Sequence, residues 1–156
     1  MIHVCPVSRE HFEAWFRMRC ALWPDEPAEA LRAEAAQFLA GSVPHPLAVL
    51  IAIRDAAPVG FAELNIRPYA EGCHSGRVAY LEAWYVEPTA RRTAVGRALI
   101  EAAEAWAGAQ SCPELASDTF VENGLGTAAH LALGFEEVEI IRCFRKTVRM
   151  PGGSET

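Results

Sequence analysis

Residues 80–107 read YLEAWYVEPTARRTAVGRALIEAAEAWA, and the reading of this stretch decides the fold. Aromatic and β-branched side chains in an apolar run predict a strand over 80–86. Pro88 has no ladder donor and ends it. A short basic turn over 87–94 follows. Val95, Leu99, Ala102, Ala103 and Trp106 then recur at helical spacing, predicting a helix over 95–107 with one apolar face. Gly108 is placed to stop it.

A strand that feeds a helix through small and basic residues aims unpaired backbone N–H groups at whatever sits before the helix. With the positive end of the helix dipole, those donors make an anion site. Arg91, Arg92 and Arg97 add charge suited to phosphate oxygens, and Gly96 lets the backbone approach closely. A bound pyrophosphate is one reading. An exposed turn with solvated arginines is the other.

The spacing separates the two. Arg91-Arg92-Thr93-Ala94-Val95-Gly96, placed after Leu81-Glu82-Ala83-Trp84-Tyr85-Val86, resembles the Arg/Gln-x-x-Gly-x-Gly/Ala signature of the GCN5-related N-acetyltransferases. The resemblance implies acetyl-CoA as co-substrate, its pyrophosphate held by Arg91, Arg92, Thr93, Ala94, Val95, Gly96 and Arg97. It further implies that the strand edge at Trp84, Tyr85 and Val86 bonds the pantetheine arm and that Asn123 touches the cofactor, although Asn123 also suits a helix N-cap. One departure stands out: Ala94 occupies a position where the family usually has glycine. If that position needs a positive φ, alanine is strained there; if it is helical, alanine is harmless.

Working outward, 156 residues are enough for one domain to close its own core, and 51% apolar with 22% charged residues is an ordinary globular balance. A net charge of −6 argues against nucleic acid as the main partner and suits a cationic ligand. No apolar run reaches membrane-spanning length. His3, Pro6 and Arg9 interrupt the place where a signal peptide needs continuous apolar residues, so a cytoplasmic protein is expected. Five scattered cysteines without a CxxC pair make neither a disulfide framework nor a zinc site; they read as reduced thiols used as small apolar residues, and no metal is called for.

The rest of the chain falls into alternating elements. A strand over 2–7 is followed by a helix from Ser8 to about Leu22, broken by Trp23-Pro24-Asp25-Glu26-Pro27. A second helix starts at Pro27 and ends near Gly41. Strands over 47–54 and 59–68 flank a polar turn at 55–58, and the loop 69–76 leads into the strand of the decisive stretch. After the central helix come a short strand over 114–117, a helix over 123–133 stopped by Gly134, and an alternating final strand over 135–148. Residues 1–148 are thus expected to form a single domain, and 149–156 a polar tail. This is an α+β order with a mixed, mostly antiparallel central sheet flanked by helices. It agrees with the acyl-CoA N-acyltransferase fold of the family, in which two strands splay apart to admit the cofactor; here those are 77–86 and 114–119.

The likeness extends beyond the cofactor motif. Leu22-Trp23-Pro24, Gly60-Phe61-Ala62, Leu81-Glu82, Ala116-Ser117-Asp118-Thr119, Glu122-Asn123 and Ala132-Leu133-Gly134-Phe135-Glu136 fall in the order and spacing of the aminoglycoside 6′-N-acetyltransferases, and the short chromosomal subgroup is the most similar. That resemblance implies acetyl transfer to the 6′-amine of aminoglycoside antibiotics, a homodimer, and a substrate site lined by Trp23, Glu26, Tyr69, Glu82 and Asp118. Glu26 departs from the histidine expected in some relatives. Independently, a polycationic sugar needs carboxylates and flat rings, and these residues lie on predicted loops or strand ends. Each has a plainer alternative: Trp23 as a core plug, Tyr69 as a loop aromatic, Asp118 as a turn or cap residue. Glu82 interrupts an apolar strand, where a carboxylate is costly unless paired or facing a cavity.

A protonated amine has no lone pair, so the reaction needs a base. Glu82 is the first candidate and Asp118 the second, with a backbone N–H within 84–86 supplying the oxyanion donor. His130 stands where many of these enzymes have a tyrosine acid; a histidine on a mainly apolar helix also suits a structural role. Two other functions remain open: acetylation of another amine (a polyamine, an amino-sugar metabolite or a peptide N-terminus), or non-catalytic binding of acetyl-CoA or aminoglycoside.

Overall fold

Two apolar runs joined by Asp55-Ala56 set the frame of the molecule, whose computed structural model describes residues 1–152. Strands β2 (Ala48–Arg54) and β3 (Ala57–Arg67) pair antiparallel, Arg54 opposite Ala57. The turn between them has φ of 52° at Asp55 and 64° at Ala56, a hairpin geometry whose twist matches the strands. It is tighter than the expected 55–58 turn because Ala57 and Pro58 join the ladder. β1 (Ile2–Pro6) pairs antiparallel with β2, and β4 (Val78–Val86) with β3. β5 (Glu114–Ser117) lies parallel to β4, completing a five-stranded sheet in the order β1-β2-β3-β4-β5.

Period-two alternation gives each strand two apolar faces, and helices cover both. On one side α3 (Val95–Ala109), the crossover from β4 to β5, sets Val95, Leu99, Ile100 and Ala103 against Leu50, Ala52, Ala62, Leu64 and Leu81. On the other, α1 (Phe12–Leu22) and α2 (Ala28–Leu39) set Trp15, Met18 and Ala35 against Val49, Ile51, Phe61, Ala83 and Tyr85. A turn of 3₁₀ helix over Arg9–His11 precedes α1, and Pro27 is the N-cap of α2. Gly60 is required by close approach: a Cβ there would lie 2.8 Å from the Tyr85 carbonyl oxygen and 3.1 Å from Leu99 Cδ1.

β4 carries a bulge that matters for the site. Leu64 pairs with Leu81 and Glu63 with Ala83, which leaves Glu82 as an extra residue. Before the bulge Leu81 faces α3; after it Trp84 and Val86 do, while Ala83 and Tyr85 face α1 and α2.

The structure corrects two expectations and bears out a third. Gly108 does not stop α3, which runs on to Ala109; the chain turns instead at Ser111, with φ 59°. The last helix, α4, spans Gly124–Ala132, with Asn123 as its cap and Gly134 (φ 93°) ending the segment as anticipated. The final strand expected over 135–148 does not form: these residues make neither helix nor strand, and Val138, Ile140, Ile141, Phe144 and Val148 are exposed. Alternation alone makes no strand without a neighbour to satisfy its backbone, and among the described residues this segment has none. Residues 153–156 of the expected polar tail lie outside the described residues. Among the described residues no helix is long and apolar enough to cross a membrane.

Candidate active site

The basic turn and the start of α3 form as an anion cradle would. Val86 ends β4, a turn of 3₁₀ helix over Pro88–Ala90 follows, and the Thr93 hydroxyl donates to the Ala90 carbonyl at 2.6 Å. The backbone N–H groups of Ala94, Gly96 and Arg97 have no hydrogen-bond partner among the described residues. They therefore point free at the helix start, where the dipole favours negative charge. Ala94 has φ −74° and ψ 2°, an ordinary conformation for an L-residue, so the departure from glycine carries no strain. The positive φ lies at Arg92 instead, at 58°. Arg91 bends back: its Nε donates to the Val86 carbonyl at 2.9 Å and its guanidinium lies 5.7 Å from the Tyr85 ring centroid. Arg92 is exposed, Arg97 is exposed, and Gly96 sits against Trp84, whose Cζ2 a Cβ would approach to 3.3 Å.

Beside this turn β4 and β5 part company. Their pairing ends at Leu81 and Ser117, so the β4 edge carrying Trp84, Tyr85 and Val86 faces no strand on that side. Trp84 Nε1 is buried there without a hydrogen-bond partner, an orphaned donor of the kind that asks for an acceptor. His130 of α4 packs edge-on against Trp84 at 5.2 Å. Both of its ring nitrogens are engaged: Nδ1 donates to the Gly126 carbonyl at 2.6 Å, and Nε2 lies 2.9 Å from Ser117 Oγ. With both nitrogens occupied, His130 ties α4 to the end of β5. Asn123 acts as the N-cap of α4, accepting from Gly126 N–H at 2.9 Å and donating to Thr119 Oγ1 at 3.0 Å.

The bulge brings Glu82 beside a polar strip that alternates along β3. Glu82 Oε1 accepts from Asn65 Nδ2 at 3.3 Å and from Arg67 Nε at 3.1 Å and Nη2 at 2.9 Å; Oε2 accepts from Arg67 Nη2 at 2.8 Å. The Arg67 guanidinium also lies 3.5 Å from the centroid of the Tyr80 ring. Tyr80 in turn donates its hydroxyl to Asp118 Oδ2 at 2.6 Å. Burial first, then that bond, push the Tyr80 hydroxyl well above the ordinary tyrosine value and keep it a donor. Glu82 and Asp118, singled out in the sequence, are thus joined through Arg67 and Tyr80, which were not. The signal was there: Phe61, Glu63, Asn65 and Arg67 form a period-two row that turns polar halfway along β3.

Trp23 stands farther along the same face, over Phe61 (6.5 Å, edge-on) and 5.0 Å from the Arg19 guanidinium. Arg19 is buried, and its Nε donates to Glu63 Oε1 at 2.9 Å, a carboxylate oxygen that also accepts from Trp15 Nε1 at 3.1 Å. Burial pushes the Glu63 carboxyl up, against the opposing pull of Arg19 and Trp15. Trp23 packs against the core and remains half-buried. Glu26 and Tyr69 are exposed, and neither side chain makes a hydrogen bond among the described residues, so the structure does not join them to Glu82 and Asp118.

Residues 9–135 match the acetyltransferase (GNAT) family. An aminoglycoside N(6′)-acetyltransferase type 1 of Klebsiella aerogenes is 55% identical over 144 residues, covering 92% of this chain and 95% of the relative. A solved aminoglycoside N-acetyltransferase, AAC(6′)-Iy in complex with CoA, superposes with a TM-score of 0.87 at 36% identity, covering 95% of this chain and 96% of that one. The same enzyme in complex with the bisubstrate analogue CoA-S-monomethyl-acetylneamine gives a TM-score of 0.87 at 36% identity, with coverages of 95% and 99%.

Proposed function

The chain belongs to the acetyltransferase (GNAT) family, and from that membership we propose that it transfers acetyl from acetyl-CoA to the 6′-amino group of aminoglycosides, as its relatives' names describe. The splayed five-stranded sheet and its four α-helices are the fold of that family. One observation carries the residue-level reading: the unpaired N–H groups at the start of α3 and the free β4 edge adjoin a rim where a bulge presents Glu82 next to Asp118's tyrosine partner.

Acetyl-CoA fits this arrangement as the co-substrate that brings the thioester. Ala94, Gly96 and Arg97 N–H groups bind diphosphate oxygens, with Arg92 and Arg97 adding charge and Arg91 and Thr93 fixing the turn that precedes Val95. The β4 edge at Trp84, Tyr85 and Val86 bonds the amide-bearing arm and supplies an N–H to the oxyanion. Asn123 keeps α4 in place at the far wall. Trp23 offers a flat surface to the sugar, while Glu26, Tyr69, Glu82 and Asp118 complete a wall for ammonium groups. Glu82 removes the proton of the attacking amine, directly or through water, and Asp118, oriented by Tyr80, holds a neighbouring ammonium and serves as the second base.

The assay is thiol release from acetyl-CoA with neomycin, kanamycin, spermidine and a peptide; release with drugs bearing a free 6′-amine, and not with the others, is the expected result. Glu82→Gln should lower kcat/KM by about 10²–10⁴-fold and flatten its acid limb. An unchanged rate and pH profile would remove Glu82 from the base role.

The protein works as a homodimer in the cytoplasm. Five free cysteines favour a reducing compartment. Among the described residues the outer edge of β5 is unpaired and the exposed alternating residues 138–148 have no partner strand, so a second copy can supply what each lacks. Sedimentation of the full chain should give a dimer, and a chain cut after Glu137 a monomer.

A further inference from the structure

Arg67 is a cation built into a pocket meant for cations. It covers both oxygens of Glu82, and with Asn65 it leaves that carboxylate about one lone pair out of roughly four. Any alkylammonium that comes to Glu82 meets this guanidinium first. The pair is open to solvent, Arg67 at 41% and Glu82 at 27% side-chain exposure, so separating it costs little. A second resting place is already occupied: the Tyr80 ring, 3.5 Å below the guanidinium and held by its bond to Asp118. The charged or titratable groups around Glu82 are Arg67 from β3, Tyr80 from β4, Asp118 after β5, and His45, which reaches Asn65 Oδ1 at 3.0 Å.

We propose that Arg67 is a specificity-determining counter-cation: it competes with the substrate ammonium for Glu82, so that the 6′-nitrogen is held loosely while protonated and settles fully only as the free amine. The inference rests on the proposed acetyl transfer. In that reaction R–NH3⁺ and the acetyl thioester become R–NH–CO–CH3, CoA thiol and one released proton; the C–N bond forms as the C–S bond breaks. A lone carboxylate would bind the ammonium tightly and stabilise the form that cannot attack, which lowers KM without helping the rate. A fixed positive charge beside the nitrogen favours its neutral form. Arg67 therefore gives up ground-state affinity and gains reactive amine. The acetylated product is an amide, whose nitrogen has no basic lone pair left to protonate, so it cannot return to the cation that competes for Glu82, and Arg67 stays paired there.

The test uses Arg67→Met, which keeps a stem over Tyr80, and Arg67→Lys, which keeps the charge. The ligands are neomycin and paromomycin, which differ at the 6′ position by amine against hydroxyl. In calorimetry at pH 7, Arg67→Met should bind neomycin about tenfold more tightly, or ~1.4 kcal/mol, with paromomycin within about twofold of the native protein. Its kcat at pH 7 should fall about tenfold and recover at higher pH, the profile moving up by about one unit. Arg67→Lys, which keeps the charge but not the two-pronged bond to Glu82, should fall between the native protein and Arg67→Met in both measurements. Arg67→Met weakening both ligands alike would show that Arg67 only braces Glu82, and overturn the proposal. An unmoved kcat profile in Arg67→Met, or Arg67→Lys shifting as far as Arg67→Met, would also overturn it. Thiol release by the native protein is measured first: its absence with neomycin defeats the acetyl-transfer reading itself, whereas its presence with unaltered variants defeats only the role of Arg67.

Discussion

Replacing Glu63 is the sharpest test of how the sheet face beneath α1 and α2 is supported. Its Oε1 accepts two hydrogen bonds, from Arg19 Nε at 2.9 Å and Trp15 Nε1 at 3.1 Å, and both donors belong to buried side chains. Glu63→Ala removes the acceptor while leaving the donors in place. Arg19 keeps Glu34 at 2.9 Å and the Leu31 carbonyl at 3.0 Å, but Trp15 Nε1 keeps nothing. Breaking a buried pair from one side typically costs about 3–5 kcal/mol. At about 2–4 °C per kcal/mol for a domain of this size, Tm should drop by roughly 6–20 °C. Glu63→Gln retains an acceptor for both donors and should cost about 1 kcal/mol or less. Because the native carboxyl is raised above its unfolded value, its contribution is fully present below the unfolded pKa near 4.5 and fades as pH rises through the folded one. The cost of Glu63→Gln should therefore grow on acidification and shrink as pH rises. The double variant Arg19→Met, Glu63→Met should lose less than the sum of the two single changes, by about 1 kcal/mol or more. Urea denaturation at several pH values measures all six proteins: the native chain, Glu63→Ala, Glu63→Gln, the double variant and its two single variants. Additive single effects, or a Glu63→Ala cost equal to that of Glu63→Gln, would refute the reasoning.

Three further expectations follow from single contacts. Ala94→Gly should lower stability by about 0.4–1 kcal/mol in urea and leave CoA affinity within about twofold, since Ala94 already has a negative φ; tighter CoA binding in calorimetry would contradict this. Gly60→Ala should cost about 1–3 kcal/mol, because its Cβ would sit 2.8 Å from a backbone oxygen that cannot move freely; the same denaturation curves decide it. Hydrogen bonds from Ser75, and then from the His74 N–H, hold the Glu114 carboxyl below its ordinary value. Its contribution is present above the unfolded value of 4.5 and lost as pH falls through the folded one, so the protection of the His74 and Ser75 amides, relative to their intrinsic exchange rates, should fall in acid and should already be low in Glu114→Gln at neutral pH.

The sequence by itself determined the order and type of nearly every element, because strand and helix periods were clear and turn residues stood between them. It also determined the basic turn before α3, since a strand, a basic bend and an apolar-faced helix act locally: the free N–H groups at Ala94, Gly96 and Arg97 follow from helix geometry alone. Glu82 was legible for a similar reason, as a charge in an apolar strand. Three things needed the tertiary structure. Whether Ala94 was strained turned on one backbone angle, and the positive φ fell at Arg92 instead. The bulge that presents Glu82 exists only in the register between β3 and β4, and through it Arg67 and Tyr80, remote in sequence from Asp118, enter the same site. The alternation over 135–148 promised a strand that the chain does not form alone, because a strand is a relation between two segments and pattern describes only one of them. Local periodicity fixes which face of an element is apolar; which charged groups meet across that face depends on register, and register is settled only when the sheet closes.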